Sequence, residues 1–168
     1  SEGLFWETMN AATVLKVPLC MSVWDNGWGI SVPKKHQTTK ESISDALSGF
    51  DLDDKGNGMK IFRVKGWNYP ELVMTYAKAA KFCREHQQPV LVHVDELTQP
   101  QGHSTSGSHE RYKSKELLEW YKEWDCLEQM TKFIVAQGIA KHEELEKIQV
   151  EAKNWVREEQ KAAWSAFR

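Results

Sequence analysis

Two nearly uninterrupted apolar runs of strand length most limit what this chain can fold into. They read VPLCMSVW, from Val17 to Trp24, and QPVLVHVDEL, from Gln88 to Leu97. Strands buried on both faces of a parallel sheet carry such continuous runs, whereas half-buried strands alternate between apolar and polar residues. A third segment, MKIFRVKG, also has strand character. The chain is therefore expected to contain a parallel sheet.

Helical segments alternate with these strands. SISDALSGF predicts a short helix that Gly49 ends, and NYPELVMTYAKAAKFCREH predicts a long helix with Pro70 in its first turn. The opening segment SEGLFWETMNAATVLK also has helical spacing, while VPKKHQTTKE is typical of a loop. This β-α-β order predicts an α/β fold, with a parallel sheet flanked by helices.

The last third of the chain is predicted to be helical. Three segments after Ser114 have helical patterns: KELLEWYKEWD, CLEQMTKFIVAQG and KHEELEKIQVEAKNWVREEQKAAWSAFR. We therefore expect an α/β domain over residues 1–113 and a helical extension of the same domain over residues 114–168.

Charge and cysteine content exclude several classes of protein. A formal net charge of -2 gives no basic field for nucleic acid or an anionic membrane. The three cysteines are widely spaced and form no CxxC pair, so we predict neither a zinc site nor a disulfide framework, and a cytoplasmic location fits best. No apolar stretch approaches the ~20 residues that span a bilayer.

A polar, glycine-rich turn follows the first predicted strand. It reads DNGWGIS, from Asp25 to Ser31. Asp25 and Asn26 offer the hard oxygen atoms that magnesium prefers, and the glycines allow close approach of the backbone. Asn-Gly is also a common tight turn with no metal role, and the spacing alone leaves both interpretations open.

A second candidate loop follows the last predicted strand. His103 stands beside Gly102 and before a run of hydroxylated residues, Ser104, Thr105, Ser106 and Ser108. Such a loop can surround a phosphate, and imidazole can exchange a proton near neutral pH. A solvated loop without a function is the alternative. In a parallel sheet both loops would lie at the carboxyl edge, where ligands bind.

Together these motifs resemble one enzyme family, the alpha chain of the thiamine-diphosphate-dependent, decarboxylating first component of 2-oxo acid dehydrogenase complexes. SEGLFWETMNAATVLKVP, DNGWGIS and GHSTSGSHERYK all resemble family segments, and the resemblance covers essentially the whole chain. It implies a thiamine-diphosphate-binding fold, of which residues 1–113 would form part. It also implies decarboxylation of a 2-oxo acid and transfer of the acyl group to lipoamide.

The resemblance also implies site residues, cofactors and partners. Asn26 would give its side-chain oxygen, and Trp28 its backbone carbonyl, to magnesium bound by the diphosphate. Ile30 would contact the cofactor, and His103 would reach it and assist acyl transfer. The partners would be a beta chain, or the beta half of a fused chain, and a lipoyl-bearing acyltransferase. GHSTS favours a branched-chain substrate, with pyruvate and acetoin still open.

Several departures from the family pattern are evident. Gln99 stands where relatives often carry an arginine that helps hold diphosphate, Gly107 and Ser108 replace acidic residues, and Lys113 replaces an arginine. Arginine and glutamine are not equivalent, because a neutral amide carries no charge. The family's metal-binding Gly-Asp-Gly would fall before Ser1, and its catalytic glutamate belongs to the beta chain. We therefore expect this stretch to be inactive alone.

Two other functions fit parts of the sequence. A non-catalytic interaction module could use its tryptophan-rich helices, LLEWYKEW and VEAKNWV, to bind a protein partner. A transketolase-like thiamine enzyme would use a different acceptor for the same cofactor chemistry.

Overall fold

The computed structural model of the protein describes residues 2–103 and 109–168. The α-helices are α1 (Gly3–Leu15), α2 (Ile43–Ala46), α3 (Tyr69–His86), α4 (Lys115–Glu123), α5 (Cys126–Ala136) and α6 (His142–Phe167). The strands are β1 (Cys20–Trp24), β2 (Trp28–Gly29), β3 (Val32–Pro33), β4 (Lys60–Lys65) and β5 (Val90–Asp95). Short 3-10 turns join several of them.

The main sheet has three parallel strands in the order β1-β5-β4. Val90, the first residue of the central strand, pairs with Cys20 on one side and Lys60 on the other. A parallel sheet with helical connections confirms the predicted α/β fold. Because all three strands run in one direction, the segments that follow them leave from the same edge of the sheet.

Helices cover both faces of the sheet. Successive residues of β5 point to opposite faces, so Val92 joins a cluster with Ala79 and Cys83 of α3. Leu91 instead joins a cluster with Met9 of α1 and with Leu47, directly after α2. Full burial of a valine, leucine or methionine side chain stabilises a fold by roughly 1.5–3 kcal/mol, so the two clusters fix the sheet between its helices.

The helix α3 begins where the sequence indicates. The side chain of Asn68 accepts a hydrogen bond from the backbone N–H of Glu71, and Pro70 lies in the first turn. The asparagine cap satisfies a backbone amide that has no partner within the helix. Proline in the first turn removes no helical hydrogen bond, because the N–H at that position would have no partner within the helix. The predicted helix over NYPELVMTYAKAAKFCREH is thereby confirmed.

The predicted two-sided burial is right for β5 and wrong for β1. Every residue of β5 except Asp95 is buried, whereas β1 alternates between exposed and half-buried residues, and Trp24 is 74% exposed. Within residues 2–103 and 109–168, β1 pairs with β5 alone. An apolar run cannot by itself distinguish a central strand from an edge strand.

A small hairpin follows β1 in a region predicted as loop. Strand β2 pairs antiparallel with β3, with Trp28 opposite Pro33 and Gly29 opposite Val32. Each strand has two residues, too few for any period in the sequence to appear. The hairpin brings Lys34 back beside the DNGW turn, where its backbone N–H donates to the carbonyl of Gly27 over 2.9 Å.

The chain forms two compact units, Ser1–Cys126 and Leu127–Arg168. The first contains the sheet, and the second contains the 26-residue helix α6. No helix among the described residues combines the length and apolarity that a membrane crossing needs. The predicted division at residue 113 concerns the extent of a cofactor-binding domain and stays a prediction.

Candidate functional site

The backbone joins the turn after β1 to the segment after β5. The N–H of Asp25 donates to the carbonyl of Val94 over 2.8 Å, and the N–H of Leu97 donates to the carbonyl of Asp25 over 3.3 Å. These bonds extend the parallel ladder by one step beyond the end of β1. The two predicted loops therefore begin side by side at the carboxyl edge of the sheet.

The residues Asp25, Asn26 and Gly27 form a turn held by their own side chains. The backbone N–H of Gly27 donates to Asp25 Oδ1 over 2.7 Å, and that of Trp28 donates to Asn26 Oδ1 over 3.0 Å. Short polar side chains commonly fold a turn in this way. Gly27 has φ +80, and a Cβ built there would meet nothing within 4 Å. A glycine is favoured here because of its positive φ, since a side chain would not collide with any neighbouring atom.

A side-chain contact links the two loops. Asn26 Nδ2 donates a hydrogen bond to Gln99 Oε1. Lys113 Nζ in turn donates to the backbone carbonyl of Gln99. Gln99 thus contacts both Asn26 of the first loop and Lys113 of the segment before α4.

The predicted catalytic histidine lies further along the second loop. His103 is exposed and is the last described residue before the gap at 104–108. Its predicted neighbours Ser104, Thr105, Ser106, Gly107 and Ser108 lie outside the described residues. Gln99, four positions earlier, makes the contact with Asn26, and the role of His103 stays a prediction.

Trp28 uses its side chain for packing. Its indole N–H donates to the Tyr121 hydroxyl over 3.1 Å, its ring centroid lies 5.4 Å from that of Tyr112, and Lys113 Nζ lies 5.7 Å from the same ring. The indole therefore anchors the turn to α4 and to the segment before it. The predicted ligand at this position is the backbone carbonyl, which leaves the ring available for this packing.

Ile30 has an unusual backbone conformation. Its φ is +61, and its side chain is 66% exposed. A β-branched residue in the left-handed region is strained, and such strain tends to occur at functional sites. Ile30 is also the first residue of the two-residue connection between β2 and β3, where a hairpin commonly requires a positive φ, and the predicted cofactor contact at Ile30 stays a prediction.

Asp25 is the electrostatic centre of the turn. Oδ2 accepts hydrogen bonds from Lys34 Nζ over 3.0 Å and from His93 Nε2 over 3.1 Å. Burial alone would raise the pKa of the Asp25 carboxyl, but the hydrogen bonds from His93, Lys34 and the Gly27 amide outweigh it and hold that pKa well below its ordinary value. Asp25 is therefore ionised at neutral pH, and its carboxylate is already engaged by three donors.

Two cavities border the turn. One, of about 300 Å³, is lined by the turn together with Leu97, Trp120 and Tyr121. The other, of about 270 Å³, is lined by the turn together with Gln37 and Thr38. Four residues line both cavities: Asp25, Asn26, Trp28 and Lys34. Pockets for complete organic ligands run from about 300 to 1,000 Å³, so each cavity is of a size to hold part of a cofactor.

The donor atoms of the turn suit a metal ion that takes most of its ligands from elsewhere. Across residues 2–103 and 109–168, no group of three or more His, Cys, Asp or Glu side chains could hold a metal ion. Asn26 Oδ1 accepts the Trp28 amide, and an amide oxygen has a second lone pair for a cation. Magnesium commonly combines a few protein oxygens with phosphate oxygens and water. The metal role predicted for Asn26 is compatible with this geometry and stays a prediction.

Several residues of the site were not identified from sequence. They are Lys34, Ser44, His93 and Tyr121. A single histidine inside the apolar run VLVHVD was the available signal for His93, because a buried imidazole needs hydrogen-bond partners. Nothing in the local sequence indicated that those partners would be Ser44 and Asp25.

Comparison with known proteins gives a consistent result. Residues 1–167 match the family described as "Dehydrogenase E1 component". The alpha subunit of the pyruvate dehydrogenase E1 component of Rickettsia bellii is 27% identical over 160 residues, which cover 94% of this chain and 46% of that protein. The alpha subunit of 3-methyl-2-oxobutanoate dehydrogenase of Mycobacterium tuberculosis is 29% identical over 155 residues, 92% of this chain and 40% of that protein.

A plant relative matches over a shorter stretch. The mitochondrial 2-oxoisovalerate dehydrogenase subunit alpha 2 of Arabidopsis thaliana is 29% identical over 122 residues, 72% of this chain and 24% of that protein. The chain thus spans less than half the length of each of these three relatives.

Proposed function

Because the chain belongs to the dehydrogenase E1 component family, we propose that it forms the diphosphate-binding side of a thiamine-dependent 2-oxo acid dehydrogenase. The complete enzyme decarboxylates a 2-oxo acid and passes the acyl group to lipoamide. The contact between Asn26 and Gln99 carries the proposal, because it joins the two loops at the carboxyl edge of the sheet. Ligands of open α/β sheets bind at this edge.

Three residues of the DNGWGIS segment have roles in this proposal. Asn26 Oδ1 and the carbonyl of Trp28 hold the magnesium ion, and Ile30 contacts the cofactor. Bound thiamine diphosphate supplies the electron sink for decarboxylation, while the protein positions it and balances its charge.

Two lysines supply positive charge near the proposed diphosphate site. Lys34 lines both cavities beside the turn, together with the Asp25 carboxylate that it pairs with and with Glu41 in one cavity or Glu96 in the other. Lys113 is only 6% exposed, and its ammonium contacts the Gln99 carbonyl and the faces of Trp28 and Tyr121. Burial lowers the pKa of the Lys113 ammonium, and a diphosphate nearby would favour its charged form. We propose that these cations take over part of the role of the arginine that Gln99 replaces.

His103 has the remaining chemical role in the proposal. It lies on the same loop as Gln99, four residues further along. An imidazole there can hold or release a proton at the acyl group during its transfer to the lipoyl carrier.

The substrate and partners follow from the same reasoning. The relatives' names include pyruvate dehydrogenase and 2-oxoisovalerate dehydrogenase, which supports a branched-chain 2-oxo acid or pyruvate as substrate. We propose a beta chain and a lipoyl-bearing acyltransferase as partners, a cytoplasmic location, and no activity for the 168 residues alone. Neither nucleic acid nor a membrane is among the proposed partners.

Calorimetric titration tests the metal role of Asn26. Thiamine diphosphate with magnesium is titrated into the full-length chain assembled with its beta component, and into Asn26→Ala and Asn57→Ala variants. Asn57 is a matched control, because its side chain hydrogen-bonds Asp53 in a different loop. We expect Asn26→Ala to weaken binding at least about tenfold, as loss of a ligand to a charged group does, and Asn57→Ala to bind as wild type. Equal binding by all three proteins would refute the metal role.

A protein-interaction module is the second candidate. Trp155 and Trp164 of α6 are 66% and 57% exposed, which favours contact with another protein. Trp120 of α4 and Trp124, directly after α4, do not share this feature, because they are only partly exposed and Trp124 packs against Trp67 at 4.3 Å between centroids. Failure of the wild-type protein to bind thiamine diphosphate in the same titration would favour this candidate.

A further inference from the structure

A buried chain of hydrogen bonds runs from α2 through the centre of the sheet to the DNGW turn. His93, in the middle of β5, is 0% exposed. Its Nδ1 lies 2.9 Å from Ser44 Oγ, and its Nε2 lies 3.1 Å from Asp25 Oδ2. Ser44 Oγ lies 3.2 Å from Ser42 Oγ, so the chain continues to the residue that caps α2.

The directions of these bonds follow from the groups involved. An ionised carboxylate only accepts hydrogen bonds, so the proton between His93 and Asp25 belongs to Nε2. The Ser44 hydroxyl can either donate or accept, so it satisfies Nδ1 whether or not that nitrogen carries a proton. Both ring nitrogens are thus satisfied, and the imidazole is fixed in one orientation by the buried groups around it.

A histidine at this position has a cost that packing alone does not explain. The His93 side chain is completely buried on the same face of β5 as Leu91, and a polar group buried in this way costs stability unless its hydrogen bonds are made. An aliphatic residue would fill the space without that cost. What the imidazole adds is a rigid donor beneath Asp25. Lys34, the other side chain that donates to Asp25, is 36% exposed.

We propose that His93 is a positioning residue for the magnesium and diphosphate site, holding the Asp25 carboxylate so that the turn keeps Asn26 aligned for the cation. This inference rests on the proposed function. Asp25 Oδ2 accepts from His93, and Oδ1 of the same carboxylate accepts from the Gly27 amide, at the bend between Asn26 and Trp28. The Asp25 carboxylate thereby connects the imidazole of His93 to the backbone of the turn.

Two substitutions separate the two hydrogen bonds of the ring. In His93→Gln the side-chain amide reaches the position of Nε2 and can still donate to Asp25. In His93→Asn the shorter amide reaches the position of Nδ1, keeping the contact with Ser44 and losing the one with Asp25. Both variants place a neutral amide in the same buried site, so they share a general loss of packing.

Two measurements are made on the full-length chain assembled with its beta component. The first is hydrogen exchange of the Gly27 amide without any ligand, and the second is calorimetric affinity for thiamine diphosphate with magnesium. We expect faster exchange and up to about tenfold weaker affinity in His93→Asn, the lower end of what a direct partner of a metal ligand contributes, because His93 acts on Asn26 through Asp25. His93→Gln should stay close to wild type in both.

A neighbouring substitution controls for loss of stability. Val92→Ala removes a fully buried side chain from the opposite face of the same strand. It should lower stability while leaving the Gly27 exchange rate, relative to the neighbouring amides, and the cofactor affinity unchanged. Equal behaviour of His93→Asn and His93→Gln would overturn the inference. Absence of cofactor binding by the wild-type protein would instead overturn the proposed function, and this inference with it.

Discussion

The carboxyl group of Asp25 links the stability of the fold to pH. Hydrogen bonds from His93, Lys34 and the Gly27 amide hold its pKa below the ordinary value, against the opposing effect of burial. A carboxyl whose pKa is depressed in the folded state stabilises that state above its unfolded pKa of about 4. This contribution is lost as the pH falls through the folded pKa.

Replacement of Asp25 should therefore change the acid side of the stability profile. At pH 7 we expect Asp25→Asn to lower the free energy of unfolding by at least about 1 kcal/mol, because the ionised acceptor is lost. The difference from wild type should shrink between about pH 5 and pH 2. Urea unfolding of both full-length proteins across this range measures it. A difference that stays constant with pH would show that the charge of Asp25 contributes nothing to folding.

At the scale of elements, the central strand β5 organises the packing. Leu91 and Val92 are adjacent in sequence but belong to the two clusters on opposite faces of the sheet. Leu47, at the end of α2, joins Leu91 and is 0% exposed. The residues that hold α2 in place therefore also support Ser44, whose hydroxyl hydrogen-bonds His93.

Truncation of Leu47 should be among the costly changes to the packing. Leu47→Ala leaves a cavity beneath β5, and such changes typically cost about 2–5 kcal/mol. Leu4→Ala is the matched control, since Leu4 is 69% exposed on α1 and its loss should cost less than about 0.5 kcal/mol. Chemical denaturation of the full-length variants distinguishes them, and equal costs would contradict the packing described for α2.

An element can be predicted from sequence when the residues that determine it lie close together in the chain. The helix α3 could be predicted because its cap, its proline and its apolar spacing all lie within nineteen consecutive letters of sequence, from Asn68 to His86. The exposure of β1 could not, because it depends on which strands lie beside it. The two-residue strands β2 and β3 are too short to show any period.

The site shows the same dependence on distance along the chain. The turn at Asp25 to Gly27 was identified from its residue types, and parallel topology placed the second loop beside it. Gln99 lies 73 residues from Asn26, and His93 lies 68 residues from Asp25. Side chains that far apart meet only through the strand register, which an unaligned sequence does not encode in any local pattern.

At the scale of the whole molecule, the proposed function requires that the turn after β1 and the loop after β5 act as one diphosphate site, although they belong to segments that are far apart in sequence. The family match over residues 1–167 supports the reaction class. The direct contact between Asn26 and Gln99 supports the union of the loops. If the loops act together, changes on either side should not be independent.

A double-mutant cycle on cofactor affinity tests this claim most directly. Affinity for thiamine diphosphate with magnesium is measured by calorimetry for the wild-type assembly, Asn26→Ala, Gln99→Ala and the double variant. Residues in one network commonly show interaction energies of about 0.5–3 kcal/mol, while distant ones add within about 0.5 kcal/mol. If the loops form one site, the interaction energy between the two substitutions should be about 1 kcal/mol. The double variant should then lose less affinity than the sum of the losses in the single variants. Strict additivity of the two losses would contradict it.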